Sequence, residues 1–69
     1  MGNRFKIWIE AHEKHPKVNR LLRFIEENEL EGIWNRSSFD SMYDFLDMEG
    51  ADRQTINNFE YLYESYLAE

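Results

Sequence analysis

The chain has no cysteine, one proline and three glycines among its 69 residues. Without thiols there is neither a disulfide to staple a small fold nor a thiolate metal site, and two histidines cannot complete a structural zinc site alone. The low glycine and proline content argues against a disordered chain. No apolar run approaches the ~20 residues that span a bilayer, and the N-terminus lacks an uninterrupted apolar segment of signal-peptide type. A cytoplasmic location with no membrane partner is expected. Met1-Gly2 opens like an acylation signal, yet Lys6 stands where that pattern requires Ser or Thr. A glycine-rich phosphate loop and a nucleophile elbow are also missing.

What the sequence does supply is bulk. Five Phe, four Tyr and two Trp make up 16% of the chain, and each ring can bury about 150 to 250 Å². At this length a single core yields only about 3 to 5 kcal/mol of net stability, so nearly every large side chain is needed inside. One folded domain over residues 1–69 is expected.

Its elements read as helices, because apolar residues recur with a 3.6-residue period and no alternating strand pattern occurs. In the first helix Phe5, Trp8, Ile9 and His12 form a stripe, Asn3 caps the start, and the helix must end before Pro16. Pro16 suits the first turn of a second helix, whose stripe is Val18, Leu21, Leu22 and Ile25. Gly32 is the expected left-handed stop of that helix. Residues 32–37 form a linker in which Ile33 and Trp34 should lie against the core. Ser37 or Ser38 caps a third helix with Phe39, Met42, Tyr43 and Leu46 inward and Phe45 beside them, ended by Gly50. Asp52 caps the fourth, whose broad face is Ile56, Phe59, Leu62, Tyr63, Tyr66 and Leu67. The second and fourth helices should be longest. The expected fold class is all-α, a compact four-helix bundle with or without one further short turn.

Few residues suggest chemistry. Asp40, Asp44 and Asp47 share one side of the third helix, but it is the side opposite the apolar stripe, and their segment lacks the ligand rhythm of a calcium loop. They read as a solvated acidic face, with no metal or cofactor expected. His12 and His15 read as boundary or capping residues, since no Ser stands in an evident nucleophile and base arrangement. No catalytic residue is assigned, and the chain is not expected to be an enzyme. The surface of most interest is the outer side of the second helix, where Lys17, Arg20 and Arg23 surround Phe24; cations with an aromatic among them can track phosphate and stack bases. Tyr61, with Ile7, also falls outside the apolar stripes and could extend that surface.

Charge is divided along the chain. Residues 1–24 carry six bases against two acids, a balance of +4, and residues 25–69 carry two bases against twelve acids, a balance of −10, together the net −6. Such a division implies either pairing of the halves within the molecule or partners of both signs.

The order of residues resembles the YozE-like family of small, mostly Gram-positive bacterial proteins. The likeness is carried by Ser37, Phe39-Asp40, Met42 and Phe45-Leu46-Asp47, by Phe59-Glu60, Tyr63 and Tyr66, and by Phe5 with Trp8-Ile9; Ile33-Trp34 stands where the family has Phe-Pro. The resemblance implies a fold similar to the sterile alpha motif and brings no catalytic residues with it. The expected function is that of a small non-catalytic interaction module binding a protein partner or weakly associating with itself. Weak nucleic-acid association through the basic face of the first two helices is the alternative, although the acidic net charge weakens it.

Overall fold

Each helix starts where a side chain can accept the otherwise unpaired N–H groups of its first turn. The computed structural model describes residues 3–36 and 38–69 and places α1 at Arg4–Ala11, α2 at Pro16–Glu27, α3 at Phe39–Met48 and α4 at Arg53–Leu67, with a 3-10 helix at Glu31–Asn35 between α2 and α3. Asn3 Oδ1 accepts from the N–H of Phe5 at 2.9 Å and of Lys6 at 3.2 Å. His15 Nδ1 accepts from Lys17 at 3.1 Å, Ser38 Oγ from Ser41 at 3.2 Å and Asp52 Oδ1 from Thr55 at 3.0 Å. Ser37, the other candidate cap of α3, lies outside the described residues. Asn3 also works in the opposite direction. Its Nδ2 donates to the carbonyls of Trp34 at 3.1 Å and Arg36 at 2.9 Å, so one amide both starts α1 and fastens the 3-10 helix to it.

Two helices end by the same device. After α2, the Leu30 N–H bonds to the Ile25 carbonyl at 2.8 Å and the Glu29 N–H to Glu26 at 3.2 Å; after α3, Ala51 bonds to Leu46 at 3.0 Å and Gly50 to Asp47 at 3.1 Å. Both are Schellman closures, which require a left-handed residue just past the cap. In α3 that residue is Gly50, φ +82°, as expected; in α2 it is Glu29, φ +54°. The expectation of a left-handed stop at Gly32 is therefore corrected. Leu30 and Ile25, the apolar pair that accompanies this closure, are both buried, and Gly32 lies within the 3-10 helix that follows.

All five elements contribute to the core: Phe5 and Ile9 from α1, Val18, Leu21 and Ile25 from α2, Leu30 and Ile33 from the connection, Met42 and Leu46 from α3, and Phe59 and Leu62 from α4. The α-carbon radius of gyration is 10.9 Å, matching the ~11 Å expected for a close-packed chain of this length. Phe5 sits at the centre of an aromatic group. Its ring centroid lies 4.8 Å from Tyr63, 5.5 Å from Tyr66, 5.9 Å from Phe59, 6.2 Å from Trp34 and 6.3 Å from Trp8. Phe39 stacks on Phe59 at 5.2 Å and so brings α3 into the same group. Burial pushes the Tyr63 hydroxyl above the ordinary tyrosine range, with Tyr66 adding to the effect. Its protonated form is thus favoured by folding, a contribution fully present below about pH 10 and lost as pH rises through the folded-state value.

Three stripe assignments differ from expectation. His12 is exposed because α1 ends one residue earlier; its Nδ1–H donates to the Trp8 carbonyl at 2.8 Å and its ring lies over the Trp8 indole at 4.2 Å. Leu67 closes α4 beyond its neighbours and is 67% exposed, while Leu22 is only half-buried at the edge of the core.

Replacing Glu29 with Gly should stabilise the fold by up to about 1 kcal/mol, because a left-handed non-glycine residue costs roughly that much. Gly50→Ala should destabilise it by about 1 kcal/mol through backbone strain alone, since an added Cβ there meets nothing within 4 Å. Urea denaturation of the two variants checks both signs.

Candidate interaction surface

The outer face of α2 is built on its N-terminal turn. Pro16 presets the backbone, His15 caps it, and from there Lys17, Arg20 and Arg23 recur every three residues along one side. Lys17 Nζ lies 5.2 Å from the centre of the Tyr61 ring, a cation–π geometry, and the His15 ring is 6.4 Å from the same tyrosine. The structure thereby joins Lys17 to Tyr61, which is 50% exposed. Ile7, equally outside the stripes and 60% exposed, is a separate apolar position on α1.

Arg20, Arg23 and Phe24 form one wall of a cleft of about 320 Å³ between α2 and α4, extended by Glu27 and Asn28; the other wall is Asp52, Gln54, Thr55 and Asn58. Lys17 beside Tyr61 at one end and Glu27 opposite Gln54 at the other mean that the two helices run antiparallel along this seam. The five residues singled out from the sequence thus fall into two adjoining groups on one seam. Phe24 occupies it differently from expectation. It is half-buried and packs against the core, because α4 covers the border of the α2 stripe on which it stands. Its ring is a wall, not a free stacking face.

Electrostatically the surface is open. Among the described residues the only ion pair within 4.0 Å is Lys6 with Glu10, an exposed pair one turn apart on α1. Arg20 and Arg23 form none, so neither Glu26 nor Glu27 neutralises them. The nearest influence on an acid is at Asp52. Its hydrogen bonds to Thr55 hold the carboxyl below the ordinary aspartate range, and the Arg20 charge adds a smaller effect in the same direction. Asp40, Asp44 and Asp47 are all exposed on the outer side of α3, and among the described residues no three His, Asp or Glu side chains converge as metal ligands would.

Asn58 escaped the sequence reading. Among the described residues it is the one buried polar residue, 6% exposed, and its side chain makes no hydrogen bond to another of them. Among the described residues no fully enclosed side-chain nitrogen or oxygen lacks a partner, so the amide keeps its small exposure toward the cleft it lines. The available signal was its position four residues before Leu62 and three after Thr55, on the edge of the apolar face of α4. Comparison with family models, with curated proteins and with solved structures returns no match. None of the four helices is long and apolar enough to cross a membrane.

Because the Asp52 pKa is depressed by folding, its charge contributes stability above the unfolded aspartate value near 4 and loses it as pH falls through the lower folded value. Thermal denaturation of the native chain and of Asp52→Asn from pH 7 to pH 2 should therefore show a difference in midpoint that narrows below about pH 4 and stays constant above it.

Proposed function

We propose that this chain is a non-catalytic interaction module whose recognition surface is the α2 face bearing Lys17, Arg20 and Arg23 together with Tyr61. The observation that carries this reading is that the two charge classes leave each other unpaired within the fold. A chain with eight bases and fourteen acids has, among the described residues, a single and long ion pair. Internal neutralisation, one of the two explanations of the divided charge, is thus largely unused, and complementary charge on another molecule is the explanation left. Ions spread over opposite sides also steer encounter, raising association rate more than final affinity.

The histidines support a role without catalysis. His12 is engaged with the Trp8 carbonyl and His15 with the first turn of α2, and neither is set against a nucleophile. The resemblance to the YozE-like family, with its fold similar to the sterile alpha motif, adds an analogy of architecture and no activity, since a fold does not carry a function by itself. Nucleic-acid association through the first two helices is the second reading. It rests on the free cations of α2, but the half-buried Phe24 offers no open stacking face and the flanking Glu27 and Asp52 repel a continuous phosphate backbone, so a protein surface with discrete acids is the better complement.

Sedimentation velocity and affinity capture at 20 mM to 1 M salt test the reading. Association, with itself or with a captured partner, should be strongest at low salt, fade toward 1 M where the screening length is about 3 Å, and vanish in the Arg20→Glu, Arg23→Glu double variant. A monomer at every salt concentration together with empty capture would contradict it. Stronger binding to duplex or single-stranded DNA than to any protein, lost in the same double variant, would shift the assignment to the second reading.

A further inference from the structure

His12 and His15 stand at the two ends of the turn between α1 and α2, and their rings meet the backbone with opposite polarity. Each uses Nδ1. His12 Nδ1 lies 2.8 Å from the Trp8 carbonyl, and because a carbonyl only accepts, that nitrogen carries the hydrogen. His15 Nδ1 lies 3.1 Å from the Lys17 N–H, and because an N–H only donates, that nitrogen is bare. The main chain couples the pair. The His15 N–H donates to the His12 carbonyl at 2.9 Å, and the Asn19 N–H donates to the His15 carbonyl at 2.9 Å, so the turn runs without a break into the first bonds of α2.

Taking up a proton therefore has opposite consequences at the two positions. An imidazolium carries hydrogen on both nitrogens. His12 keeps its bond when charged and makes it charge-assisted, with the cation at the negative end of α1. His15 loses its acceptor, turns an N–H toward the N–H of Lys17, and sets a cation at the positive end of α2. The surrounding charges do not reverse this. Among the described residues neither histidine has an ion-pair partner within 4.0 Å. Glu10, Glu13 and Lys14 line one exposed hollow with both rings, where solvent and salt screen them. From α4, Tyr61 faces His15 with the Lys17 ammonium over the same phenol ring, and Glu69 is hydrogen-bonded to the Trp8 indole that His12 covers. We propose that the α1–α2 turn is a proton-operated joint: proton uptake at His12 fastens the end of α1, and proton uptake at His15 uncaps the start of α2. Histidine changes charge between about pH 5 and pH 8, so the α2 cap is held at the upper end of that range and given up at the lower end. The turn released first is the one that carries Lys17 beside Tyr61. The joint does not depend on what the α2 face recognises.

The test begins with the native full chain. Long-range proton–nitrogen NMR correlations of the imidazole rings at pH 8 should show hydrogen on Nδ1 of His12 and on Nε2 of His15, two different tautomers in one turn. Unfolding constants from urea titration then read the consequence. His15→Asn supplies a cap acceptor in every protonation state. The unfolding constant of the native chain, divided by that of His15→Asn, should rise about fivefold from pH 8 to pH 5, the ordinary worth of one cap. His12→Ala should raise the unfolding constant over the native one by a larger factor at pH 5 than at pH 8, because the bond it removes is charge-assisted only at the lower pH. Comparing each variant with the native chain at the same pH cancels the titration of the carboxylates. The same tautomer at both histidines, a ratio of native chain to His15→Asn that is equal at the two pH values, or a His12→Ala factor that does not grow at pH 5, each overturns the proposal.

Discussion

The ring of Phe5 is the constraint on which the other parts of this molecule depend. It is 2% exposed and touches aromatic groups from α1, the 3-10 helix and α4, while Phe59 relays the contact to Phe39 of α3. Aromatic pairs in tilted or edge-on geometry contribute about 0.5 to 1.5 kcal/mol beyond the area they bury. For a domain whose whole margin is about 3 to 5 kcal/mol, a hub joining several such pairs decides whether the elements assemble at all. The aliphatic residues of α2, Val18, Leu21 and Ile25, complete the other half of the interior.

Filling the interior with rings and aliphatic chains places nearly every ionised group outside. There they could have paired with one another, and among the described residues, with one exception on α1, they do not. Exposed ion pairs are worth little to stability, commonly 0 to 1 kcal/mol, so folding loses little by leaving them apart. What the separation leaves is a surface with a basic seam along α2 and an acidic outer face on α3. The cleft beside that seam is lined by Asn58, the one buried polar residue among those described. In the proposed reading, recognition and stability fall to different residues, while Phe24 is both a wall of the cleft and a cover for the core.

The helices were legible because their caps and stripes obey local rules. Asn3, Pro16, Asp52 and Gly50 act in the structure as their types predict, α2 and α4 are the longest elements, and the buried Ile33 with half-buried Trp34 place the linker against the core. The failures are equally physical. Glu29 has no intrinsic preference for a left-handed backbone; the burial of Leu30 against Ile25 forces it there, and that pull is tertiary. Phe24 stands at the border of its stripe, where only the placement of α4 decides between water and core. Asn58 is a polar residue beside an apolar face, and a single sequence does not show whether such a residue finds a partner. For the surface, the composition of the basic face could be read in advance, but its continuity with Tyr61 and the second wall from α4 arise from helix packing alone.

Denaturation of Phe5→Ala tests the central dependence most directly. Losing a buried Phe costs about 3 to 5 kcal/mol, comparable with the whole stability available at this size. The variant should therefore lack a cooperative urea transition at 25 °C, and near-ultraviolet circular dichroism should show the aromatic signal collapsed. A variant that still unfolds cooperatively, with a loss below about 1 kcal/mol, well under the usual cost of deleting a core Phe, would contradict the assignment of Phe5 as the hub of the fold.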